Sequence, residues 1–132
     1  MNAENPEYWL SLVEEDIATA KALLRSRRYV HMAFFCHLSA ECVLKAAIAA
    51  PGVIPPRVHG LLRLSEKGGV LGSLDESQLM LLSALQPLQL EGRYPEAQEA
   101  LVGMLDNAYS TDLLKRTEAF CAWMKEWIKI RQ

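Results

Sequence analysis

The chain has 132 residues, of which 51% are hydrophobic and 23% are charged, a composition typical of one globular domain. Its formal net charge of −2 gives no overall electrostatic reason to expect nucleic acid, although a local basic patch remains compatible with it. The cysteines, Cys36, Cys42 and Cys121, are odd in number and lie in apolar stretches. We therefore expect reduced thiols in a cytoplasmic protein whose single domain spans residues 1–132.

The first two predicted helices are the longest. Asn5-Pro6 is typical of a helix start, and apolar residues then recur at three- and four-residue steps for about 20 residues. The next stretch, Tyr29–Ala50, is apolar on nearly every side, which is typical of a helix buried by its neighbours. It is long enough to span a bilayer, but Glu41 and Lys45 lie deep within it and would be costly in lipid. We expect the central helix of a soluble bundle and no membrane contact.

Shorter helices are predicted after the central one. Pro51-Gly52 ends the central helix, and a third helix is expected to run from near Val58 to Gly68-Gly69. Asp75 is expected to cap a fourth helix.

The sequence of the last part of the chain predicts a less regular segment followed by one long helix. From Leu88 to about Gly103 we expect mostly irregular chain, with room for a turn of helix at Glu96–Leu105. Ser110 or Thr111 is expected to cap the final helix. No segment shows the alternation typical of strands, so the sequence predicts an all-α, up-and-down bundle of about five helices.

Three ionisable residues of the central stretch, His37, Glu41 and Lys45, follow one another at steps of four. A helix places residues four apart on one face, and Glu41 before Lys45 is the favoured order for an ion pair. A metal site needs three or four ligands, and no second pair of ligands with helical spacing appears, so we expect no metal. There is also no glycine-rich phosphate loop, CxxC pair or GxSxG motif. We expect no cofactor, and nothing here indicates an enzyme.

Several segments, in the right order along the chain, resemble the HEPN domain family of small helical domains. The resemblance covers nearly the whole chain, and its motifs become specific only in combination. They are Trp9 to Leu24 in the first helix, Tyr29 to Lys45 in the second, Pro55-Pro56-Arg57-x-His59-x-Leu61, Arg93-Tyr94-Pro95, and Tyr109-Ser110 before the last helix.

The resemblance implies a HEPN-like bundle, which is commonly a two-fold dimer. It also implies two possible functions. Many family members are metal-independent ribonucleases whose motif is Arg, four to six residues, then His. Others partner minimal nucleotidyltransferases as nucleotide-binding proteins, often in toxin–antitoxin pairs. Here the positions at that spacing after Arg93 are Gln98, Glu99 and Ala100. One formal match, Arg25 with His31, lies between the first two helices rather than late in the bundle, and we interpret it as coincidence.

Two interpretations of the polar residues stay open. In the first, Glu41 neutralises charge inside the bundle by pairing with Lys45, and with Arg93 or His59. In the second, Lys45, His59 and Arg93 surround a phosphate or nucleotide, with Tyr94 beside them and Glu41 as organiser. His37 replaces a glutamine of the family pattern and is interpreted as a satisfied polar residue.

The functional prediction is a non-catalytic HEPN-type binding module. It is expected to be a homodimer, to bind a nucleotide or RNA through a phosphate group, and to partner a nucleotidyltransferase-like protein. One alternative is a ribonuclease toxin that uses a displaced His. Another is a structural dimerisation adaptor.

Overall fold

The computed structural model describes residues 2–89 and 95–131, and these residues contain helices and no strand. The predicted all-α class is confirmed. The described helices are α1 (Pro6–Arg25), α2 (Tyr29–Ala49), α3 (Leu61–Lys67), α4 (Glu76–Leu85), α5 (Pro95–Met104) and α6 (Asn107–Arg131), with 3-10 turns at Leu71–Ser73 and Gln86–Leu88.

Helix α2 is the centre of the fold. It packs most extensively against α1 and then against α6, with further contacts to α3, α4 and α5. Every residue from Ser39 to Ala49 is buried, as expected for a helix that is apolar on all sides. By length and composition α2 is the one helix among residues 2–89 and 95–131 that is apolar enough to cross a membrane. Within an apolar stretch of 18 residues of α2, 83% is buried inside the bundle, so core packing explains why this helix is so apolar.

Local capping explains where α1 and α4 begin. The side chain of Asn5 accepts a hydrogen bond from the backbone N–H of Glu7, and Pro6 occupies the first turn. Asp75 and Gln78 form a reciprocal capping box at the start of α4. Both starts agree with the sequence prediction.

Two helix starts differ from the prediction. Helix α3 begins at Leu61 rather than near Val58, because the extended chain continues through Gly60, which is the N-cap. Helix α6 begins at Asn107, and its cap is Asp106 rather than Ser110 or Thr111. The Asp106 carboxylate accepts a hydrogen bond of 2.7 Å from the backbone N–H of Tyr109.

The described part of the segment from Leu88 to Gly103 is also more regular than expected. Pro87 lies in the 3-10 turn that follows α4, and α5 is a helix from Pro95 to Met104. The turn of helix for which the sequence left room at Glu96–Leu105 is thus a full helix.

Candidate functional site

The carboxylate of Glu41 is the centre of a buried polar group on α2. We call Glu41 with its partners His37, Lys45 and His59 the Glu41 cluster. Oε2 of Glu41 lies 3.0 Å from Nζ of Lys45, and Oε1 lies 3.0 Å from Nδ1 of His59 and 3.4 Å from Nε2 of His37. The Glu41 side chain is only 6% exposed, so these partners replace the water that it loses on folding.

The environment of Glu41 favours its ionised form. Burial by itself raises the pKa of this carboxyl. Contacts with His37, Lys45 and His59, together with the charge of Lys45, outweigh burial and lower the pKa to about 2. The carboxylate is therefore a fixed negative charge at physiological pH, and it accepts hydrogen bonds from Lys45 and His59.

His37 connects α2 with the end of α4. Its Nδ1 lies 3.0 Å from the carbonyl oxygen of Leu85, and since a carbonyl only accepts, Nδ1 carries the proton. The other ring nitrogen faces Glu41 at 3.4 Å, which is long for a hydrogen bond. His37 thus has one satisfied nitrogen and lies in the interior, where its side chain is 1% exposed.

The ammonium group of Lys45 is fully engaged inside the bundle. Besides its ion pair with Glu41, it lies 5.4 Å from the centroid of the Trp9 ring, a cation–π contact between α2 and α1. The indole N–H of Trp9 donates in turn to the carbonyl oxygen of Ala3 at 2.7 Å, which fixes the ring. In this arrangement the positive charge of Lys45 is directed at Glu41 and Trp9 rather than at solvent.

His59 is the outward member of the Glu41 cluster, because 58% of its side chain is exposed. Its Nδ1–H donates to Glu41, which leaves Nε2 as the nitrogen that Glu41 does not engage. The side chain of Gln86 holds the backbone around it. The Gln86 amide nitrogen donates to the carbonyl of His59 at 3.3 Å, and the Gln86 amide oxygen accepts from the N–H of Leu61 at 2.7 Å.

Asp16 and Cys42 extend this polar region between α1 and α2, and the sequence analysis assigned neither to a site. The thiol of Cys42 donates to Oδ2 of Asp16 across 3.8 Å. Burial raises the pKa of Asp16 to about 6, with a smaller contribution from the nearby carboxylates of Glu15 and Glu41. The signal in the sequence was its position, since Asp16 falls between Val13 and Ala20, two of the three buried residues of α1.

The structure brings together four of the six residues predicted for the site, namely His37, Glu41, Lys45 and His59. Arg93 and Tyr94 lie outside the described residues. In the part of the chain that the structure describes, no group of three or more His, Cys, Asp or Glu side chains is arranged to hold a metal ion.

A family model for the HEPN domain matches residues 6–127. No curated protein and no solved structure shows significant similarity to the chain. The family match includes every element from α1 to most of α6, and it contains the whole Glu41 cluster. The chain therefore belongs to the HEPN domain family.

Proposed function

We propose that this protein is a non-catalytic HEPN-type module that binds the phosphate group of a nucleotide at the outer face of the Glu41 cluster. Membership of the HEPN family supports a nucleotide- or RNA-related role. One observation supports the location of the proposed phosphate site: the exposed imidazole of His59 is held in place by a buried carboxylate. A side chain that is fixed before the ligand arrives loses little conformational entropy on binding.

The other predicted ligand contacts have different parts in this proposal. Arg93 supplies a guanidinium that can hold two phosphate oxygens, and Tyr94 lies next to it in the chain. Lys45 acts indirectly, because its ammonium is held by Glu41 and fixes the carboxylate that orients His59. This role does not require Lys45 to touch the ligand.

The proposal includes partners. As in the family members that this chain resembles, we propose a cytoplasmic homodimer that acts with a small nucleotidyltransferase-like protein. Sedimentation analysis of the purified chain tests the dimer, and a mass of about 15 kDa for the particle would contradict it. Co-purification with the product of a neighbouring nucleotidyltransferase gene tests the partner, and the absence of such a gene would count against that part.

Ligand binding is tested by heat stabilisation, because a ligand that binds only the folded state raises the melting temperature. The wild type should be stabilised by one or more nucleotides, and His59→Gln and Arg93→Gln should reduce the effect. Arg63→Gln is the matched control, since Arg63 is also exposed but lies on α3, outside the Glu41 cluster. No stabilisation by any nucleotide, or equal loss in all three variants, would contradict the proposal.

A second candidate function, a metal-independent ribonuclease, is favoured by the same hydrogen bond. A carboxylate bonded to Nδ1–H of an imidazole fixes the tautomer and leaves Nε2 able to accept a proton. Glu41 and His59 have this arrangement, with a distance of 3.0 Å. In such a reaction Nε2 of His59 would take the proton of an RNA 2′-hydroxyl as its oxygen attacks the adjacent phosphorus. The bond from phosphorus to the 5′-oxygen of the next nucleotide would break, leaving a 2′,3′-cyclic phosphate, and the released 5′-oxygen would take a proton from water.

Purified protein and total RNA distinguish the two candidates. Cleavage by the wild type that is lost in His59→Ala and Arg93→Ala would establish the ribonuclease and overturn the non-catalytic proposal. Absence of cleavage combined with nucleotide stabilisation would establish the binding module. Tolerance of changes at Lys45, His59 and Arg93 in both assays would instead favour a dimerisation adaptor.

A further inference from the structure

A second polar region surrounds a cavity at the opposite end of α2 from Lys45. The cavity has a volume of about 510 Å³ and lies where the turn between α1 and α2 meets the end of α5. Its lining consists of Arg27, Arg28, Tyr29, Val30, His31, Val102 and Leu105. One side of the cavity is therefore basic, and the other is apolar.

The basic side has guanidinium groups without an ion-pair partner among the described residues. Arg27, Arg28 and His31 are all exposed, and none takes part in the ion pairs that the described residues form. Other cations of the chain do have carboxylate partners, as Lys21 has with Glu118. The two guanidinium groups beside one cavity repel one another, and an anion between them would relieve that repulsion.

Arg27 occupies a backbone position that favours glycine. Its φ angle is 60°, the left-handed region that residues with a Cβ adopt at a cost. This is the position just after the end of α1, where glycine is the common residue. Arg27 thus reduces the stability of the turn relative to glycine while it brings a guanidinium to the cavity.

The remaining lining suits the organic part of a ligand. Val102, which is 62% exposed, provides most of the apolar surface, and Val30 and the largely buried Leu105 complete that side of the lining. The hydroxyl oxygen of Tyr29 accepts a hydrogen bond of 3.0 Å from the side-chain amide of Asn107, so its own hydrogen remains free to donate. Together these groups form an amphipathic cavity with a cationic rim.

We propose that this cavity binds an organic phosphate, with the phosphate held by Arg27, Arg28 and His31 and the organic part against Val102 and Leu105. Guanidinium groups match phosphate oxygens in geometry as well as charge. The volume exceeds that of a single phosphate ion and accommodates an attached organic group of modest size. This site goes beyond the function proposed above, because it uses none of the residues of the Glu41 cluster.

The histidines provide a test that separates the two sites. The chain has three, and one lies at each place of interest: His31 at the cavity, His37 in the core and His59 at the outer face of the Glu41 cluster. Their ring signals can be followed by NMR in the intact protein and assigned with His31→Gln and His59→Gln. Inorganic phosphate should shift the signals of His31. Shifts at His59 report on the other proposal, so either site can fail alone.

The decisive variant is Arg27→Gly. Glycine suits the backbone at this position, so the variant should fold and melt at a higher temperature than the wild type. It should nevertheless bind phosphate about tenfold more weakly at the cavity, since a charged hydrogen bond is lost. Arg63→Ala is the matched control, because Arg63 is an exposed arginine on α3 that does not line the cavity.

Three outcomes would overturn the proposal. The first is no shift of the His31 signals at about 10 mM phosphate, a concentration at which even weak sites fill. The second is equal weakening in Arg27→Gly and Arg63→Ala, which would indicate unspecific charge attraction. The third concerns the apolar side of the cavity. A nucleoside monophosphate should bind more tightly than inorganic phosphate and more tightly than the phosphate-free nucleoside. Equal affinity for the nucleoside monophosphate and inorganic phosphate would overturn the role of Val102 and Leu105.

Discussion

His59 and Glu41 join the surface of the bundle to its interior through one hydrogen bond of 3.0 Å. The exposed fraction is 58% for the side chain of His59 and 6% for that of Glu41. Because Glu41 also holds Lys45, any group that binds His59 from outside acts on the charge balance of the core. The cluster is therefore both a stabilising element of the fold and the base of the proposed site.

The first prediction concerns the charge of Glu41. Glu41→Gln keeps the size of the side chain but leaves the ammonium of Lys45 buried without an ionised partner. Removing one member of a buried ion pair is strongly destabilising, and we expect a loss of about 3 kcal/mol in the free energy of unfolding at pH 7. Urea unfolding of the variant and the wild type measures this difference.

Two controls sharpen this test. Lys45→Met added to Glu41→Gln should recover part of the loss, because the unpaired charge is then gone. The pH dependence has a defined sign. The folded pKa of Glu41 is about 2, below the ordinary value of 4.5, so its contribution is present above pH 4.5 and lost as the pH falls toward 2. A difference between wild type and Glu41→Gln that stayed constant down to pH 2 would contradict the assignment.

Asp16 should have the opposite pH dependence. Its pKa is raised from 3.8 to about 6, so the folded state disfavours the ionised form, and ionisation reduces stability as the pH rises through this window. Asp16→Asn should therefore be more stable than the wild type at pH 7. We expect about 1 kcal/mol, less than the full linkage value, because Asp16 is only partly buried.

Thermal unfolding at two pH values checks the Asp16 prediction. The advantage of Asp16→Asn should be present at pH 7 and should vanish below pH 3.8, where Asp16 is protonated in both the folded and the unfolded state. Glu7→Gln is the control, because Glu7 is exposed on the same helix and its charge is not among the causes of the raised pKa of Asp16; this variant should show no such pH-dependent gain. Greater stability of the wild type at pH 7 would show that Asp16 has an ionic partner instead.

The three thiols should be unreactive in the folded protein. Cys36, Cys42 and Cys121 are free and buried, and burial raises the pKa of Cys36 and that of Cys42 from 9.0 to about 12. At a given pH the thiolate fraction of these two groups is about a thousandfold smaller than that of an exposed thiol. A thiol reagent should thus react slowly with the native chain and rapidly after unfolding in guanidinium. One thiol that reacted as fast as free cysteine would contradict the buried arrangement.

The sequence is informative about this fold where a signal is local or dominates a whole helix. Tyr29–Ala50 is apolar on nearly every side, and this pattern predicted the central helix. Asn5 and Asp75 were predicted as helix caps, and each accepts a hydrogen bond from a backbone N–H no more than three residues later. The step of four between Glu41 and Lys45 likewise predicted their ion pair. Each of these features depends on residues that are near one another in the chain.

Features that depend on distant segments were not predictable in the same way. The hydrogen bonds of the Gln86 side chain with the backbone of His59 and Leu61 join the end of α4 to the start of α3. The approach of Cys42 to Asp16 depends on how α1 packs on α2. Neither of these two contacts joins residues at a spacing from which the sequence could predict it.

The start of α6 gives the last prediction, because the sequence analysis expected Ser110 or Thr111 as the cap and the structure uses Asp106. Asp106→Ala removes the acceptor for the backbone N–H of Tyr109 and should cost about 1 kcal/mol in the free energy of unfolding. Thr111→Ala is the matched control, since Thr111 is exposed within the helix and its loss should change stability by less than about 0.5 kcal/mol. Urea unfolding of both variants decides between the two starts. A larger loss for Thr111→Ala than for Asp106→Ala would show that the helix begins at the later position, with residues 107–110 outside it.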